Sequence, residues 1–492
     1  MYCSAFESGE EKKMLLLFDE INKQKEYDEE KILENNPSLK ASQISNLKAY
    51  LYEKILNSLR TQRSEQNPNL LIRKWIDYAQ ILFERTLYEQ GSFFLKKAKK
   101  TAAQYNNLEL MLEIIKWEKS VLMLTSQDKQ SKVDDIIEEV KRINKQINNI
   151  NIFSNLSIKM DSYYRQSGHI RDKEKLDELK KYIDSNLPEY DENQLSPLEK
   201  MYLYRLYIGF YFYIQDAQQG YAYSKKLTEL FESTAGLIES NTEDYIRSLN
   251  ALIISQYKLM RYDEFVDTNE KLQNLENNPA ILLNENLRLR LLKYHFIHEI
   301  NHFFMTGRFE EGVKSIMHTQ KETFLNLLEN IDKHSLLIFN YKIACLYFGA
   351  RDYNQCIRWL QKIINEPDVD FREDLHCFAR IINLICHYEL GNFDVIKYYI
   401  ITTYKFLLKK DDLYLFQKYI LAFLKKLKET LKDEQVKNEF IVLKKQLMPL
   451  VNSPYEKRAF AYFDIISWLE SKIEKRSVEE IIQEKFRQLM KK

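Results

Sequence analysis

The segment from residue 295 to residue 302 carries histidines and a glutamate at spacings that could bind zinc. His298 and His302 lie four residues apart with Glu299 after the first, which matches the HExxH pattern of zinc peptidases, and His295 adds a third imidazole. On a helix this spacing brings imidazoles to one face, where they could hold the metal beside a glutamate acting as general base. The metzincin continuation fails because Met305 stands where that class has glycine. We therefore expect no catalytic zinc site, and His295, His298 and His302 remain only weak candidates for structural or adventitious metal binding.

Two cysteine–histidine pairs, His376-Cys377 and Cys386-His387, form the other possible metal site. Their cysteines are separated by a helical rotation of about 900°, so they should lie on opposite faces of a helix. We expect buried thiols and ordinary surface histidines there. The five cysteines of the chain are odd in number, scattered and without a CxxC pair, which predicts reduced thiols and a cytoplasmic location.

The sequence lacks the glycine-rich motifs of nucleotide-binding proteins and hydrolases. It contains 10 glycines and no GxGxxG, GxxxxGK(S/T) or GxSxG segment. Because those motifs need glycine where the backbone approaches a phosphate or makes a strained turn, their absence argues against both kinds of chemistry. We expect a protein that is not an enzyme, with no catalytic residues and no cofactor.

The composition predicts a helical protein. The 492 residues include 10 glycines and 8 prolines, whereas average usage gives roughly 34 and 25. These two residue types form most tight turns and strand ends, so their scarcity favours long helices with short connections. Apolar residues recur at helical spacing nearly everywhere, for example in a predicted helix from about Ser42 to Thr61.

The charges and the hydropathy argue against two classes of partner. The 73 basic and 72 acidic residues leave a net charge of +1, whereas a broad nucleic-acid interface needs net positive charge. The best candidate for a membrane span, Tyr202 to Ile214, contains Arg205 and many tyrosines. We therefore expect neither a nucleic-acid partner nor a membrane partner.

The helical pattern changes along the chain and suggests three segments. Residues 1–65 predict an N-terminal helical cap, and residues 66–190 a first helical-repeat segment. Residues 191–492 predict a second repeat segment, continuous with the first, whose helices are longer and richer in aromatic residues.

The clearest repeat unit begins at Trp75. Large, small and aromatic residues follow it at fixed steps along two predicted helices: Tyr78, Ala79, Leu82, Tyr88, Gly91, Leu95 and Ala98. Small residues such as Ala79 and Gly91 let two antiparallel helices approach closely, while the large residues fill the groove between neighbouring repeats. This pattern resembles the tetratricopeptide repeat.

Similar offsets recur further along the chain, for example in the unit formed by Phe296, Ile300, Phe303, Phe309, Gly312 and Ile316. Aromatic residues open the predicted second helices every 40 to 47 residues, at Tyr262, Phe309, Tyr353 and Phe393. The family repeat has about 34 residues, so these units have longer helices or loops. The resemblance implies an all-α, tetratricopeptide-like superhelix, that is, a right-handed solenoid of antiparallel helix pairs. It also implies a non-catalytic scaffold that binds a protein or peptide in its concave groove.

The resemblance further indicates which residues face that groove. They lie between the packing positions of the first helices: Gln80, Asn250, Tyr257, His298, Asn301, Tyr341 and Lys342. On a groove, such side chains could form hydrogen bonds with a peptide and stack on it. The neighbouring Phe296, Ile300 and Phe303 should instead pack between helices.

Two other functions stay open at this point. Residues 15–62 could form a three-helix DNA-binding unit, and the chain would then be a peptide-sensing transcriptional regulator. Against this, the third helix carries Tyr50, Tyr52, Glu53 and Asn57 beside few basic residues. The other alternative is a zinc-dependent hydrolase that uses the HEINH segment at 298–302.

Overall fold

A computed structural model describes most of the chain, namely residues 9–63, 67–124, 130–167, 169–170, 173–367, 372–410, 413–427, 433–453, 456–457, 459–460 and 463–491. Within these ranges every regular element is a helix and no strand occurs. The prediction of an all-α fold is therefore confirmed for the described residues.

The chain divides into two compact units, Met1–Asn144 and Lys145–Lys492. Unit 1 contains six helices and the beginning of a seventh, which crosses the division: α1 (Gly9–Lys23), α2 (Glu29–Asn35), α3 (Ala41–Arg63), α4 (Pro68–Phe83), α5 (Tyr88–Gln104), α6 (Leu108–Leu124) and α7 (Gln130–Ser167). The division lies between the boundaries that the sequence suggested near residues 65 and 190, and those boundaries stay predictions.

Unit 2 contains the end of α7 and eighteen further described helices. The helices of its first part are α8 (Lys173–Asn186), α9 (Pro197–Tyr213), α10 (Ala217–Ser233), α11 (Leu237–Ser240), α12 (Thr242–Lys258), α13 (Tyr262–Asn274), α14 (Pro279–Leu282), α15 (Glu285–Thr306), α16 (Phe309–Lys314) and α17 (Lys321–Asn330). Those that follow are α18 (Lys333–Gly349), α19 (Tyr353–Ile364), α20 (Glu373–Glu389), α21 (Phe393–Lys409), α22 (Leu415–Lys426), α23 (Asp433–Leu447), α24 (Ile465–Glu474) and α25 (Val478–Leu489).

Polar side chains fix where several of these helices begin. Asn67 accepts hydrogen bonds from two backbone N–H groups at the start of α4, and Pro68 follows it. Ser196 and Glu199 form a capping box at the start of α9. Each such cap satisfies backbone donors that have no partner inside the helix, which typically contributes about 1 kcal/mol.

Consecutive helices pack as pairs, among them α4 with α5, α9 with α10, α12 with α13 and α18 with α19. Glycines mark the closest approaches. A Cβ added to Gly91 would lie 2.3 Å from the ring of Phe83, and one added to Gly312 would lie 2.8 Å from the ring of Phe303. Both glycines occupy the small position that the repeat pattern predicts, so the offsets describe real packing contacts.

Hydrogen bonds in unit 2 also connect segments that are far apart in the sequence. The Lys457 ammonium donates a hydrogen bond to the Gln215 carbonyl oxygen at 3.1 Å, and the Gln483 amide donates one to the Gly307 carbonyl oxygen at 3.1 Å. In a simple solenoid each repeat contacts only its neighbours. The packed helix pairs are therefore observed, whereas the right-handed superhelix stays a prediction.

Among the described helices, none combines the length and the apolar character that crossing a membrane requires.

Candidate functional site

The HEINH segment lies in α15, and its first histidine points into unit 2. His298 is fully buried, and its Nε2 lies 3.0 Å from Oδ1 of Asn250. Its Nδ1 lies 3.4 Å from the amide nitrogen of Asn301. Burial, together with the nearby Lys342 ammonium, lowers the pKa of His298 to about 3, so this imidazole is neutral at pH 7.

The other two histidines have separate partners. Nε2 of His295 lies 3.4 Å from the Glu299 carboxylate, which raises the pKa of His295. His302 contacts the guanidinium of Arg308, and burial lowers the pKa of His302. Glu299 also accepts a hydrogen bond from the Ser315 hydroxyl at 2.5 Å. Across the described part of the chain, no three His, Cys, Asp or Glu side chains are grouped as a metal site would require.

A chain of hydrogen bonds continues from His298 to α18. The ammonium of Lys342 donates to Oδ1 of Asn301 at 2.5 Å. It also lies 5.3 Å from the ring centroid of Phe304 and 5.8 Å from that of Tyr257. We call Asn250, His298, Asn301 and Lys342 the buried polar chain; it links α12, α15 and α18.

Lys342 is the charged member of the buried polar chain. Its side chain is half-buried, and no described carboxylate forms an ion pair with it. Burial lowers the pKa of Lys342 to about 8, because the ammonium loses water without gaining a negative partner. Charge–π contacts with Phe304 and Tyr257 offset part of this loss.

The structure brings together five of the seven residues that the sequence placed on a groove. Tyr257 contacts Lys342, and the other four are the members of the buried polar chain. Tyr341 is separately buried, and Gln80 lies in unit 1, where it is exposed and donates to Glu84.

Three of the predicted groove residues are less exposed than residues that line an open groove would be. His298, Asn301 and Tyr341 are only 0%, 2% and 4% exposed, because helices of unit 2 pack around them. Hydrogen bonds inside the unit are therefore the contacts observed for His298 and Asn301, and partner binding by these residues stays a prediction. Asn250 differs from them because it also borders an open cleft.

This cleft lies in unit 2 between the end of α7 and helices α9, α10 and α12, and has a volume of about 490 Å³. We call it the α7–α12 cleft. Its aromatic lining residues are Tyr164, Tyr202, Tyr211, Phe212 and Tyr294. Its charged lining residues are Asp161, Arg165, Arg205, Asp216, Asp244, Arg247 and Lys258. Apart from Asn250, none of them was predicted to belong to a site, because no sequence motif connects helices that are this far apart.

The guanidinium groups of the cleft are paired with carboxylates. Arg205 donates to Asp244 at 2.8 Å, and Arg165 donates to Asp161 at 2.6 Å. Arg247 pairs with Glu243, also at 2.6 Å. The attraction of these arginines for an anionic ligand is therefore already reduced by their neighbours.

Lys258 is the exception among the cations of the cleft. Its ammonium lies 4.0 Å from the ring centroid of Phe212, and no described carboxylate forms an ion pair with it. Burial, and secondarily the nearby Lys457 ammonium, lowers the pKa of Lys258 to about 8. A negative group that entered the cleft would relieve this loss of solvation.

Three stacked tyrosines lie beside the cleft, and one of them, Tyr211, lines it. The ring centroids of Tyr207 and Tyr211 lie 4.8 Å and 5.6 Å from that of Tyr223, with interplanar angles of 29° and 21°. The hydroxyls of Tyr190 and Tyr207 share a hydrogen bond at 2.8 Å. We call Tyr207, Tyr211 and Tyr223 the tyrosine stack; its rings are half-buried, and Tyr211 also lines the cleft.

A buried ion pair holds the end of α7 at the cleft. Arg372 and Asp374 are about 1% exposed and pair at 2.7 Å. The guanidinium of Arg372 lies 5.0 Å from the ring centroid of Tyr164. The backbone N–H of Arg372 donates a hydrogen bond to the carbonyl oxygen of Arg165 at 3.3 Å. The ring of Tyr164 in turn packs edge-on against Phe212. These contacts fix one wall of the cleft through residues that are about 200 positions away from α7.

The described cysteines are buried free thiols: Cys345, Cys356, Cys377 and Cys386. Cys386 lies beside Cys356 of α19, with 3.4 Å between the sulfur atoms, and burial raises the pKa of Cys356. His387 is half-buried and stacks on Tyr399. His376 is fully buried within α20, so the expectation that it is a surface histidine was wrong. The fifth cysteine, Cys3, lies outside the described residues.

The third helix of the N-terminal cap shows an apolar surface. Tyr52, Ile55, Leu56 and Leu59 form an exposed stripe on α3, and Lys48 pairs with Glu29 of α2. A DNA-reading helix would instead present basic and amide side chains to the groove. Lys54, Asn57 and Arg60 of α3 are exposed as well, so its surface mixes apolar and polar side chains and does not by itself indicate DNA binding.

Comparisons of this chain with protein-family models, with curated proteins and with solved structures found no match. The features of this chain that bear on its function are therefore the α7–α12 cleft and its lining residues.

Proposed function

We propose that this chain is a non-catalytic, tetratricopeptide-like scaffold that holds a segment of a protein partner in the α7–α12 cleft. The observation that carries the proposal is the lining of the cleft, which combines five aromatic rings with a half-buried ammonium that has no carboxylate partner among the described residues. Aromatic and cationic side chains at one concave site are typical of the anchors that dominate protein interfaces.

The size and character of the cleft suit a short peptide segment. Its volume of about 490 Å³ falls within the roughly 300 to 1,000 Å³ of most ligand sites. Its aromatic lining, which includes Tyr202, Tyr211 and Phe212, offers ring surfaces for aromatic, proline or aliphatic side chains. Asn250 adds an amide, one end of which already contacts His298.

The environment of Lys258 favours a bound segment that contains an acidic residue. The three arginines are paired with carboxylates, so Lys258 is the cation of the cleft that would gain most from an added negative charge. We further propose a cytoplasmic location, which the four described free thiols support.

The experiment uses photocrosslinking from inside the cleft. Ile158 lines the cleft and is 66% exposed, so a photoreactive amino acid can replace it without disturbing the core. Leu282, which is 54% exposed and is not a cleft residue, is the matched control position. We expect position 158 to crosslink a defined partner in cells and position 282 to crosslink it far less.

Two substitutions then test the role of the cleft with the captured partner. We expect Ile158→Asp to abolish binding, because it places a charge where apolar contact is needed, whereas Leu282→Asp should bind normally. Lys258→Gln should weaken binding by about tenfold, the usual effect of losing one charge-assisted hydrogen bond. Equal capture by wild type and Ile158→Asp would refute the proposed site.

A further inference from the structure

Helix α21 carries an exposed apolar stripe. Its five side chains are Val395, Tyr398, Ile401, Tyr404 and Leu408; they cover the exposed half of the helix, and Tyr398, Ile401 and Leu408 form its central part, within about 80° of one another. They are between 41% and 65% exposed, so the stripe lies in solvent along the whole helix. Monomeric proteins rarely leave so many large apolar side chains together on one element unless the surface binds something.

The fold does not need this stripe. α21 packs on unit 2 through its opposite face, where Ile396, Thr403 and Leu407 are buried. Tyr399, on the same side as these residues, stacks on His387 of α20 at 5.1 Å. Helix α21 therefore has one face fixed by its own unit and one face available for a partner.

Basic side chains lie among the residues of the stripe: Lys397 and Lys409 flank its central part, and Lys405 lies within it. Lys397 and Lys405 lie within about 40° of Ile401 around the helix axis, and Lys409 follows them. All three are exposed; Lys397 pairs at 3.5 Å with Asp394, the single acidic residue of α21, so the lysines outnumber the acidic side chains three to one on this helix. A second copy of the chain on this stripe would bring like charges together. A helix with an apolar face and acidic borders would instead match both the apolar side chains and the lysines.

We propose that the α21 stripe is a docking surface for an amphipathic helix of a partner protein whose apolar face is bordered by Asp and Glu. The apolar side chains of α21 would pack between those of the partner, as in antiparallel or parallel helix pairs. Lys397 and Lys405 would set the preference for an acidic partner. This surface is separate from the α7–α12 cleft, so either proposal can fail without the other.

The test measures binding of two synthetic helical peptides to the full chain by fluorescence anisotropy. Both have the same leucine face; one has glutamates along its borders and the other has lysines. We expect the acidic peptide to bind at least about tenfold more tightly than the basic one at low salt, and the difference to shrink as salt rises. The charge-reversed variant Lys397→Glu/Lys405→Glu should prefer the basic peptide.

Matched control variants distinguish specific docking on α21 from nonspecific binding to exposed apolar side chains. Tyr398→Ser/Ile401→Ser should keep the melting temperature and lose the acidic peptide, because both side chains are exposed. Met123→Ser/Leu124→Ser removes two side chains that are 81% and 62% exposed on α6 and should leave binding unchanged. Equal binding of the two peptides, or undiminished binding by the stripe variant, overturns the proposal. Sedimentation that shows a dimer of the wild type but a monomer of Tyr398→Ser/Ile401→Ser overturns the choice of occupant.

Discussion

Replacing Lys342 by methionine should change how the stability of the protein depends on pH. Methionine keeps most of the length and apolar character of the side chain and removes its charge. In the folded protein burial lowers the pKa of Lys342 from 10.5 to about 8. Between pH 8 and pH 10.5 the unfolded chain therefore binds more protons at this position, so wild-type stability rises with pH in that window. Below pH 8 the full cost of the buried charge is present.

The expected change in the free energy of unfolding follows from the pKa values of Lys342 in the unfolded and folded chain. Lowering a lysine pKa from 10.5 to about 8 corresponds to a cost of about 3 kcal/mol for the charged form, of which about 2.5 kcal/mol is relieved between pH 7 and pH 10. Because the side chain is half-buried and retains some solvent, we expect about 1 to 2 kcal/mol. The variant also loses the hydrogen bond to Asn301, but that loss is present at both pH values and largely cancels.

The assay compares urea unfolding of wild type and Lys342→Met at pH 7 and at pH 10. We expect wild type to gain about 1 to 2 kcal/mol relative to the variant on going to pH 10. Lys225→Met is the control, because the Lys225 side chain is 53% exposed and its removal should have the same effect at both pH values. A stability difference for Lys342→Met that does not change with pH would show that the ammonium is well solvated, and the reasoning would be wrong.

Two further predictions concern packing and the ion pair beside the cleft. Gly349→Ala would place a Cβ 2.3 Å from the ring of Phe309 and should destabilise by about 2 to 3 kcal/mol, whereas Gly209→Ala, whose Cβ would meet nothing closer than 4.0 Å, should stabilise α9 by about 0.5 to 1 kcal/mol. Urea unfolding of both variants checks this, and a similar sign for the two would contradict it. Asp374→Asn should cost about 3 to 5 kcal/mol because it leaves the Arg372 guanidinium buried beside a neutral group, while Arg372→Met/Asp374→Leu should recover most of that loss. If the double variant is as unstable as the single one in thermal unfolding, the loss comes from packing rather than from charge.

The fold was predictable where local rules decide the structure. The apolar spacing placed a helix from about Ser42 to Thr61, and α3 runs from Ala41 to Arg63. The repeat offsets marked Gly91 and Gly312, and both lie at close approaches of helices. Phe296 and Ile300 were expected between helices and are fully buried. Each of these features depends on residues within one helix or on one neighbouring pair.

The sites were less predictable because they depend on contacts between remote helices. His298 and Asn301 are polar, and polar residues are mostly exposed, so the sequence favoured a groove surface for them. In the structure they form hydrogen bonds with Asn250 and Lys342, which lie 48 and 41 positions away from His298 and Asn301, respectively. A hydrogen-bond partner at that separation leaves no local pattern.

The hydrogen bond between Lys457 and the carbonyl oxygen of Gln215 has a consequence for how unit 2 folds during its synthesis. Its two residues are 242 positions apart, which at about 5 to 20 residues per second corresponds to about 10 to 50 s of synthesis on the ribosome. By the end of that interval α9 and α15 have been synthesised, whereas Gln483, which contacts Gly307, has not. We expect the nascent chain to expose these unfinished surfaces to chaperones, and expect late-arriving helices to determine when unit 2 becomes resistant to proteases.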